Sequence, residues 1–252
     1  MNQHLYLLTG ASRGLGAAMA QQLLQPGNRL LCLSRGTSPA LTAAATAAGV
    51  PCEQWPVDLA DPLPAATRLE AWLVALAPAD VASVSLVNNA ALLTAPGPVE
   101  RADPAALSAA LRVGIEAPVL LTAAMLRATR AWAAPKRVLN ISSGLGRRAM
   151  AGSAAYCAVK AGLDHFSRSL ALDEALQPHG ARVVSLAPGV IDTDMQVQLR
   201  GASAEGFPDH EMFVNLHREG QLSTAADAAS SIVAWLHSSA FGDEVIADIR
   251  SL

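Results

Sequence analysis

The chain has 252 residues, 52% of them hydrophobic and 15% charged, and a formal net charge of -3. This length suits one large α/β domain, and so low a charge with so many apolar residues excludes a disordered or collagen-like chain. The slightly acidic balance argues against nucleic acid as a partner.

Strand-length apolar runs alternate with Ala- and Leu-rich stretches of helical length, which is typical of βαβ units around a parallel sheet. The predicted strands cover residues 4–8, 29–33, 50–55, 83–87, 137–141, 182–186 and 244–248. The predicted helices cover residues 15–25, 39–48, 62–77, 104–129, 154–176 and 225–237. We therefore expect a single α/β domain over residues 1–252, with a Rossmann-type, doubly wound sheet of seven mostly parallel strands flanked by helices.

A glycine-rich turn, TGASRGLG at residues 9–16, follows the first predicted strand and opens the first predicted helix. Glycines allow the tight turn and close backbone approach to a pyrophosphate, and the helix N-terminus offers free N–H donors. The G-x-x-x-G-x-G spacing departs from the commoner G-x-G-x-x-G fingerprint. The turn predicts a dinucleotide site that includes Gly10, Ser12, Arg13, Gly14, Leu15 and Gly16.

The second predicted strand ends in CLSRG at residues 32–36, without the carboxylate that a NAD-selective site places against the ribose 2′-hydroxyl. Arg35 can instead pair with a 2′-phosphate, which Arg13 can approach from the other side. We therefore predict that Ser34 and Arg35 contact the cofactor and that this cofactor is NADP(H). The alternative is that both arginines are solvated surface charges.

The sequence contains only two tyrosines and two lysines: Tyr6, Tyr156, Lys136 and Lys160. Tyr156 and Lys160 are four residues apart on one predicted helix and therefore share a face. An adjacent ammonium and an oxidised nicotinamide would lower the pKa of the phenol, so Tyr156 is predicted to protonate a carbonyl as hydride arrives. Ser143, after the fifth strand, can stabilise the developing alkoxide, although alone it is typical of a turn or cap.

Together these motifs resemble the short-chain dehydrogenase/reductase family over the whole chain. In the order typical of that family come the glycine turn, NNA at residues 88–90, Ser143 with Tyr156 and Lys160, and PGVIDT at residues 188–193. The resemblance implies that Tyr156 is the general acid/base, that Ser143 orients the carbonyl, and that Lys160 binds the nicotinamide ribose. It also implies cofactor contacts near the adenine, along the groove and at the carboxamide end, from Asp58, Leu59, Asn89, Ala90, Pro188, Gly189, Val190 and Thr193.

Gly114 stands where this family usually has an asparagine, in the stretch LRVGIEAP at residues 111–118. By the resemblance, that asparagine helps to hold a proton-relay water, partly through its backbone carbonyl, which glycine retains. We expect the relay to be weakened or rebuilt rather than lost. Glu116 is a candidate substitute, although a solvated or salt-bridged carboxylate is the simpler interpretation.

Two local features resemble the sepiapterin reductase and bacterial benzil reductase branch. NNAA at residues 88–91 replaces the usual NNAG, and no D-G-G follows the last strand. The resemblance places Asp248 where a carboxylate anchors a pterin, so Ser143, Tyr156 and Asp248 are the expected substrate contacts. The implied substrate is a vicinal dicarbonyl or pterin side-chain ketone; the alternative for Asp248 is a surface carboxylate.

Two other functions stay open. A 3-oxoacyl-carrier-protein reductase fits the run at residues 187–195, although the missing D-G-G and the lack of a basic patch argue against it. A catalytically impaired NADP-binding sensor or scaffold fits Gly114, although Ser143, Tyr156 and Lys160 are intact.

The remaining expectations concern the lid, metals, assembly and location. Residues 188–222 are predicted to form a substrate lid, and His210 and His217 lack a third ligand, so no metal is expected. Cys32, Cys52 and Cys157 have no C-x-x-C spacing, no secretory signal is visible, and apolar runs such as 119–121 are too short to span a bilayer. We therefore expect a cytoplasmic protein, and the resemblance implies a homodimer.

Overall fold

A parallel sheet with strand order β3-β2-β1-β4-β5-β6-β7 organises residues 2–252, the part of the chain that the computed structural model describes. The strands are β1 (Gln3–Thr9), β2 (Asn28–Ser34), β3 (Cys52–Pro56), β4 (Val81–Asn88), β5 (Lys136–Ile141), β6 (Ala181–Ala187) and β7 (Ile246–Asp248). Every neighbouring pair is parallel. The strand order reverses between β1 and β4, and a doubly wound sheet binds ligands beyond the carboxyl ends of such strands.

Helices cover both faces of the sheet, which confirms the predicted fold class. They are α1 (Gly14–Gln22), α2 (Pro39–Ala48), α3 (Pro62–Val74), α4 (Pro104–Leu111), α5 (Ala117–Thr129), α6 (Ala154–Ala175), α7 (Asp194–Arg200), α8 (His210–Arg218) and α9 (Ala225–Leu236). In β1, Tyr6 and Leu8 face the core beneath α1, α2 and α9, whereas Leu5 and Leu7 face the core beneath α3 and α5. This alternation buries both faces of the strand.

The third strand starts two residues later than predicted. Gly49 adopts a φ of +65° after α2, and the Val50 N–H donates to the Ala45 carbonyl at 3.0 Å. Val50 therefore caps the C-terminus of α2 instead of joining the strand, and pairing with β2 begins at Cys52.

The predicted helix over residues 104–129 contains a π-helical turn, Arg112–Glu116, between α4 and α5. Such turns insert an extra residue and are frequent at functional sites. Although the predicted apolar runs are short, an 18-residue window of Pro104–Thr129 has a mean hydropathy of 1.6, enough to cross a bilayer by composition. However, 56% of that window is buried inside the fold, as in a core helix.

The segment predicted as an irregular lid contains α7 and α8. Phe207 and Phe213 stack with ring centroids 5.6 Å apart, and they share an apolar cluster with Met150 and Leu199. Residues 188–222, called the lid segment below, therefore contain two helices and contribute to a small apolar cluster together with Met150.

Candidate active site

A cavity of about 580 Å³ lies at the carboxyl edge of the sheet, between the glycine turn and the lid. All of the predicted cofactor residues line it, and so do Ser143, Tyr156 and Lys160. Asp248 is the one predicted site residue that does not appear in the cavity wall.

Close packing explains Gly16 of the turn, whereas Gly14 is explained by its φ of +54°. A Cβ on Gly16 would lie 2.1 Å from the Gly10 carbonyl oxygen and 2.6 Å from Asn89 Nδ2. Asn89 Nδ2 donates to the Thr9 carbonyl at 3.0 Å, while the backbone N–H groups of Asn89 and Ala90 donate to Thr9 Oγ1. Asn89 therefore joins the end of β4 to the turn and shapes the groove.

The end of the cavity next to β2 carries a polar atom without a hydrogen-bond partner. Ser34 Oγ is buried and has no hydrogen-bond partner among residues 2–252, and the exposed Arg35 follows it. Asp58 lines the same end, and its carboxylate accepts from the Ala60 N–H at 2.9 Å. Together with the backbone N–H groups of the glycine turn, the Ser34 hydroxyl and the Arg35 guanidinium fit a dinucleotide whose phosphate groups accept hydrogen bonds.

Arg13 has a partner that sequence reasoning did not identify. Its Nη1 lies 3.0 Å from Asp194 Oδ2 at the start of α7, and both side chains are exposed. The pair links the glycine turn to the lid, and Arg13 still lines the cavity.

Ser143, Tyr156 and Lys160 line the same cavity. Tyr156 and Lys160 occupy successive turns of α6, and Lys160 Nζ lies 5.5 Å from the centroid of the Tyr156 ring. Ser143 follows β5 and begins a 3-10 turn, Gly144–Gly146, where its Oγ accepts from the Leu145 N–H. The spacing of four residues thus places the ammonium near the phenol ring, and the phenol in turn hydrogen-bonds Ser143.

The pKa values of Tyr156 and Lys160 are governed by burial. Burial raises the pKa of Tyr156 to about 12, against a hydrogen bond with Ser143 that lowers it. Burial lowers the pKa of Lys160 to about 8, while the charge of Asp164 raises it. The sequence predicted a lowered tyrosine pKa; in the protein alone, desolvation outweighs that effect, because a buried phenolate loses its hydration.

A buried carboxylate, that of Asp164, hydrogen-bonds residues on three segments next to this site. Asp164, one turn after Lys160, is 2% exposed and accepts from Ser142 Oγ at 2.5 Å and Ser185 Oγ at 2.6 Å. Arg147 Nε donates to its other oxygen at 3.2 Å. Asp164 therefore joins β5, β6 and the turn after Ser143. Sequence reasoning did not select Asp164. The signal that could have found it is its spacing of four residues from Lys160 on the same helix face.

Lys160 also contacts the strand that precedes Ser143, because its Nζ donates to the Ile141 carbonyl at 2.7 Å. Gly114 is buried in the π turn next to this helix, and Glu116 is exposed. The exposed position of Glu116 does not favour its role as a substitute relay group.

Asp248 is held by its neighbour. Arg250 donates to its carboxylate through Nη2 at 2.6 Å, Nε at 2.9 Å and the backbone N–H at 3.0 Å. These bonds lower the pKa of Asp248 to about 2. The expected substrate anchor is therefore engaged within the protein, and Arg250 lines the cavity in its place.

The lid side of the cavity is mainly apolar. Its walls are formed by Leu92, Leu93, Leu145, Met150, Met195, Leu199, Met212, Phe213 and Leu216. Gln196 is a buried polar residue of the same wall. Sequence reasoning did not select these residues, because nothing in the local pattern shows which side of a short lid helix faces inward.

No group of three or more metal-ligating side chains occurs within residues 2–252. His210, one of the two histidines considered above, hydrogen-bonds the Arg200 carbonyl at 2.9 Å.

Comparison with known proteins identifies the family. The family model for short chain dehydrogenases matches residues 4–204. The chain belongs to the short-chain dehydrogenase family. As a short-chain dehydrogenase, it is an oxidoreductase that acts on CH–OH or C=O groups with a nicotinamide cofactor.

This short-chain dehydrogenase is 33% identical to benzil reductase ((S)-benzoin forming) of Bacillus cereus, with 90% of this chain and 91% of that protein covered. It is 31% identical to sepiapterin reductase of Bos taurus, over 96% and 92% of the two chains. The crystal structure of a 3-oxoacyl-[acyl-carrier protein] reductase from Brucella melitensis in complex with NAD has a TM-score of 0.79 at 23% identity, covering 99% and 96%. The similarity to the Brucella structure shows the fold. The similarities to benzil reductase and sepiapterin reductase confirm the predicted branch.

Proposed function

We propose that this protein is an NADPH-dependent carbonyl reductase that reduces one carbonyl of a vicinal dicarbonyl, of the benzil type. The observation that carries the proposal is the convergence of Ser143, Tyr156 and Lys160 on a cavity with apolar lid walls. The similarity to a benzil reductase supports the same substrate class.

The preference for NADPH is supported by the adenosine end of the cavity. Within residues 2–252, the Ser34 hydroxyl has no hydrogen-bond partner, the Arg35 side chain is exposed, and the end of β2 carries no carboxylate. A guanidinium binds a 2′-phosphate through charge-assisted hydrogen bonds. The NAD in the Brucella structure is bound to a protein that is only 23% identical, so it does not indicate which cofactor this pocket prefers.

NADPH would be held by the glycine turn, Ser34 and Arg35, and when bound it would supply the hydride that adds to the carbonyl carbon. Ser143 Oγ donates a hydrogen bond to the carbonyl oxygen and stabilises the charge that develops there. Tyr156, whose pKa of about 12 keeps it protonated at neutral pH, donates its proton to the same oxygen. The Lys160 ammonium then stabilises the phenolate, and its bond to Ile141 fixes its position.

The substrate end favours an aryl diketone over a pterin. A pterin ring needs a polar anchor, whereas Asp248 is engaged by Arg250 and lies outside the cavity wall. Methionine, leucine and phenylalanine side chains of the lid can bury aromatic rings. We therefore propose that residues 188–222 act as the substrate lid of a single NADP-binding domain.

Two alternative functions lead to different results. A 3-oxoacyl-carrier-protein reductase would reduce acetoacetyl thioesters, and a sensor with an impaired relay at Gly114 would bind NADPH without turnover. NADPH oxidation with benzil, sepiapterin and an acetoacetyl thioester separates these outcomes. We expect benzil to give the highest kcat/KM; tight NADPH binding with no turnover would favour the sensor.

Tyr156→Phe tests the assigned acid. It should lower reduction by about 100-fold or more, the scale of general acid catalysis, while the Kd for NADPH stays unchanged. Tyr6→Phe is the matched control, because Tyr6 lies in the core and hydrogen-bonds His237. Retained activity in Tyr156→Phe would contradict the mechanism.

We also propose that the protein is a homodimer that associates through α5 and α6. A groove between these helices is lined by apolar side chains that include Val119, Leu126, Phe166 and Leu170. Apolar grooves of this kind are typical of interfaces. Sedimentation showing only a 26.0 kDa species would contradict the proposal.

We place the protein in the cytoplasm. Cys32, Cys52 and Cys157 are free thiols in the structure. Free thiols persist in a reducing compartment, which supports this location. Fluorescence microscopy of a tagged chain in its native host would test it, and export of the chain would contradict it.

A further inference from the structure

Asp164 is a buried carboxylate on α6 that takes no part in the mechanism proposed above. Its side chain is 2% exposed and lies one turn after Lys160. Three donors from other segments surround it: Ser142 Oγ at 2.5 Å and Ser185 Oγ at 2.6 Å contact Oδ1, and Arg147 Nε contacts Oδ2 at 3.2 Å. A buried charge is costly even when it is paired, so its presence here indicates a role that packing alone does not fill.

Two of these donors flank Ser143 along the chain. Ser142 directly precedes it, and Arg147 follows it by four residues, after the 3-10 turn Gly144–Gly146. One carboxylate therefore holds the chain on both sides of the serine. Hydrogen bonds to the neighbours of a functional residue narrow the positions that its own side chain can take.

The turn between these two anchors packs directly on α6. A Cβ on Gly146 would lie 2.8 Å from Asp164 Oδ2 and 2.9 Å from the Lys160 carbonyl oxygen. Arg147 is fixed further by its Nη2, which donates to the Ala247 carbonyl on β7 at 3.0 Å. The lack of a side chain at residue 146 therefore lets the turn approach α6 closely enough for Arg147 to reach the carboxylate.

Asp164 also acts on Lys160 through its charge. Burial lowers the pKa of Lys160, and the carboxylate one turn away opposes that shift. Next to this pair lie Tyr156, whose ring centroid is 5.5 Å from Lys160 Nζ, and Arg147, which pairs with the carboxylate. The other elements packed against α6 carry charged side chains that are exposed or paired elsewhere: Arg112, Glu116, Arg148, Arg182 and Asp248. Loss of the carboxylate should therefore lower the pH at which Lys160 loses its proton.

We propose that Asp164 is a positioning residue that holds Ser143 in place for reduction by binding Ser142 and Arg147 on either side of it. Asp164 does not line the cavity, so its effect reaches the reaction through other residues. This inference rests on the proposed function, because it requires Ser143 to bind the oxygen of the reacting carbonyl. It does not depend on which carbonyl compound is reduced.

Ser142→Ala and Ser185→Ala form a matched pair, because each removes one buried hydroxyl that donates to the same oxygen of Asp164. Only Ser142 adjoins Ser143 in the chain. We expect Ser142→Ala to lower kcat for benzil by about tenfold with an unchanged Kd for NADPH, since misplacing a catalytic group by about 1 Å can cost about 100-fold. Ser185→Ala leaves both flanking anchors in place and should leave kcat nearly unchanged.

A double-mutant cycle separates positioning from general damage to the fold. Ser143→Ala alone should lower kcat by about 100-fold or more, the scale of one lost oxyanion donor. Ser142→Ala in the Ser143→Ala background should have no further effect, because the side chain that it positions is gone. A purely structural role would instead lower kcat by the same factor in both backgrounds, and that result would overturn the proposal.

Asp164→Asn removes the charge at nearly the same size. Where urea unfolding shows that this variant is folded, kcat should fall at least as far as in Ser142→Ala. The alkaline limb of its kcat/KM profile should move to lower pH, because the carboxylate no longer raises the pKa of Lys160. A folded Asp164→Asn with the kcat of the unaltered protein overturns the proposal, and so does a Ser142→Ala variant that loses no more activity than Ser185→Ala.

These outcomes separate the inference from the proposed function. If the unaltered protein reduces sepiapterin or the acetoacetyl thioester but not benzil, the proposed substrate class fails, and the same variants are compared with that other carbonyl. If it reduces none of the three, or if Ser143→Ala keeps its full kcat, both fail. A large loss in Ser143→Ala beside an unchanged kcat in Ser142→Ala overturns this inference alone.

Discussion

Val159 occupies the space that a side chain on Gly114 would need: a Cβ at Gly114 would lie 2.4 Å from Val159 Cγ1. Both residues are buried, and Val159 directly precedes Lys160 on α6. The asparagine of the family pattern therefore cannot enter this π turn unless the Val159 side chain changes rotamer or the helix that carries Lys160 moves. Glycine stands at position 114 because the π turn packs closely against α6. Even the Cβ of an alanine would clash with Val159.

Gly114→Asn should therefore destabilise the protein and should not raise kcat. Overpacking a core costs about 1–3 kcal/mol, measurable by urea unfolding. The double variant Gly114→Asn with Val159→Ala should recover part of that loss, because the Cγ atoms that clash are removed. A single variant as stable as the parent protein would show that the two helices separate readily.

The pH dependence of reduction should follow Lys160. Burial lowers its pKa to about 8, so the ammonium that stabilises the phenolate is present below this pH and is lost as the pH rises through it. We expect kcat/KM to fall above about pH 8. Tyr156, at about 12, stays protonated over that range.

The same shift has a consequence for stability. The pKa of Lys160 in the folded protein lies below its ordinary value of 10.5, so the unfolded chain binds more protons between about 8 and that value. The Lys160 contribution to the free energy of unfolding should rise with pH across this window. A flat kcat/KM profile up to pH 10, together with no such rise, would contradict the assignment.

Cofactor preference should depend on Arg35. Arg35→Ala should lower kcat/KM for NADPH by about 10- to 100-fold, because a charge-assisted hydrogen bond contributes roughly 1.5–3 kcal/mol, and should leave the value for NADH nearly unchanged. Arg68→Ala is the control, since Arg68, on α3, stacks on the ring of Trp55 on β3. Equal losses with both cofactors would show that Arg35 does not contact the 2′-phosphate.

The sequence by itself determined those features that depend on short spacing. The glycine turn, the seven strands and the placement of Tyr156 and Lys160 on one helix face follow from periods of two and 3.6 residues and from a spacing of four. These patterns predicted the fold class and, with the residue types they contain, the glycine turn, Ser34, Arg35, Ser143, Tyr156 and Lys160. The other predicted residues that line the cavity came from the resemblance to the short-chain dehydrogenase/reductase family.

Only the tertiary structure decided which distant groups meet. The contacts of Asp164 with Ser142 and Ser185, and of Gly114 with Val159, join residues 21 to 45 positions apart, through strand register and helix packing. The pairing of Asp248 with Arg250 spans two residues, yet it depends on a 3-10 turn after β7 that no periodicity signals. Such contacts depend on where whole elements pack, and local residue preferences leave that undetermined.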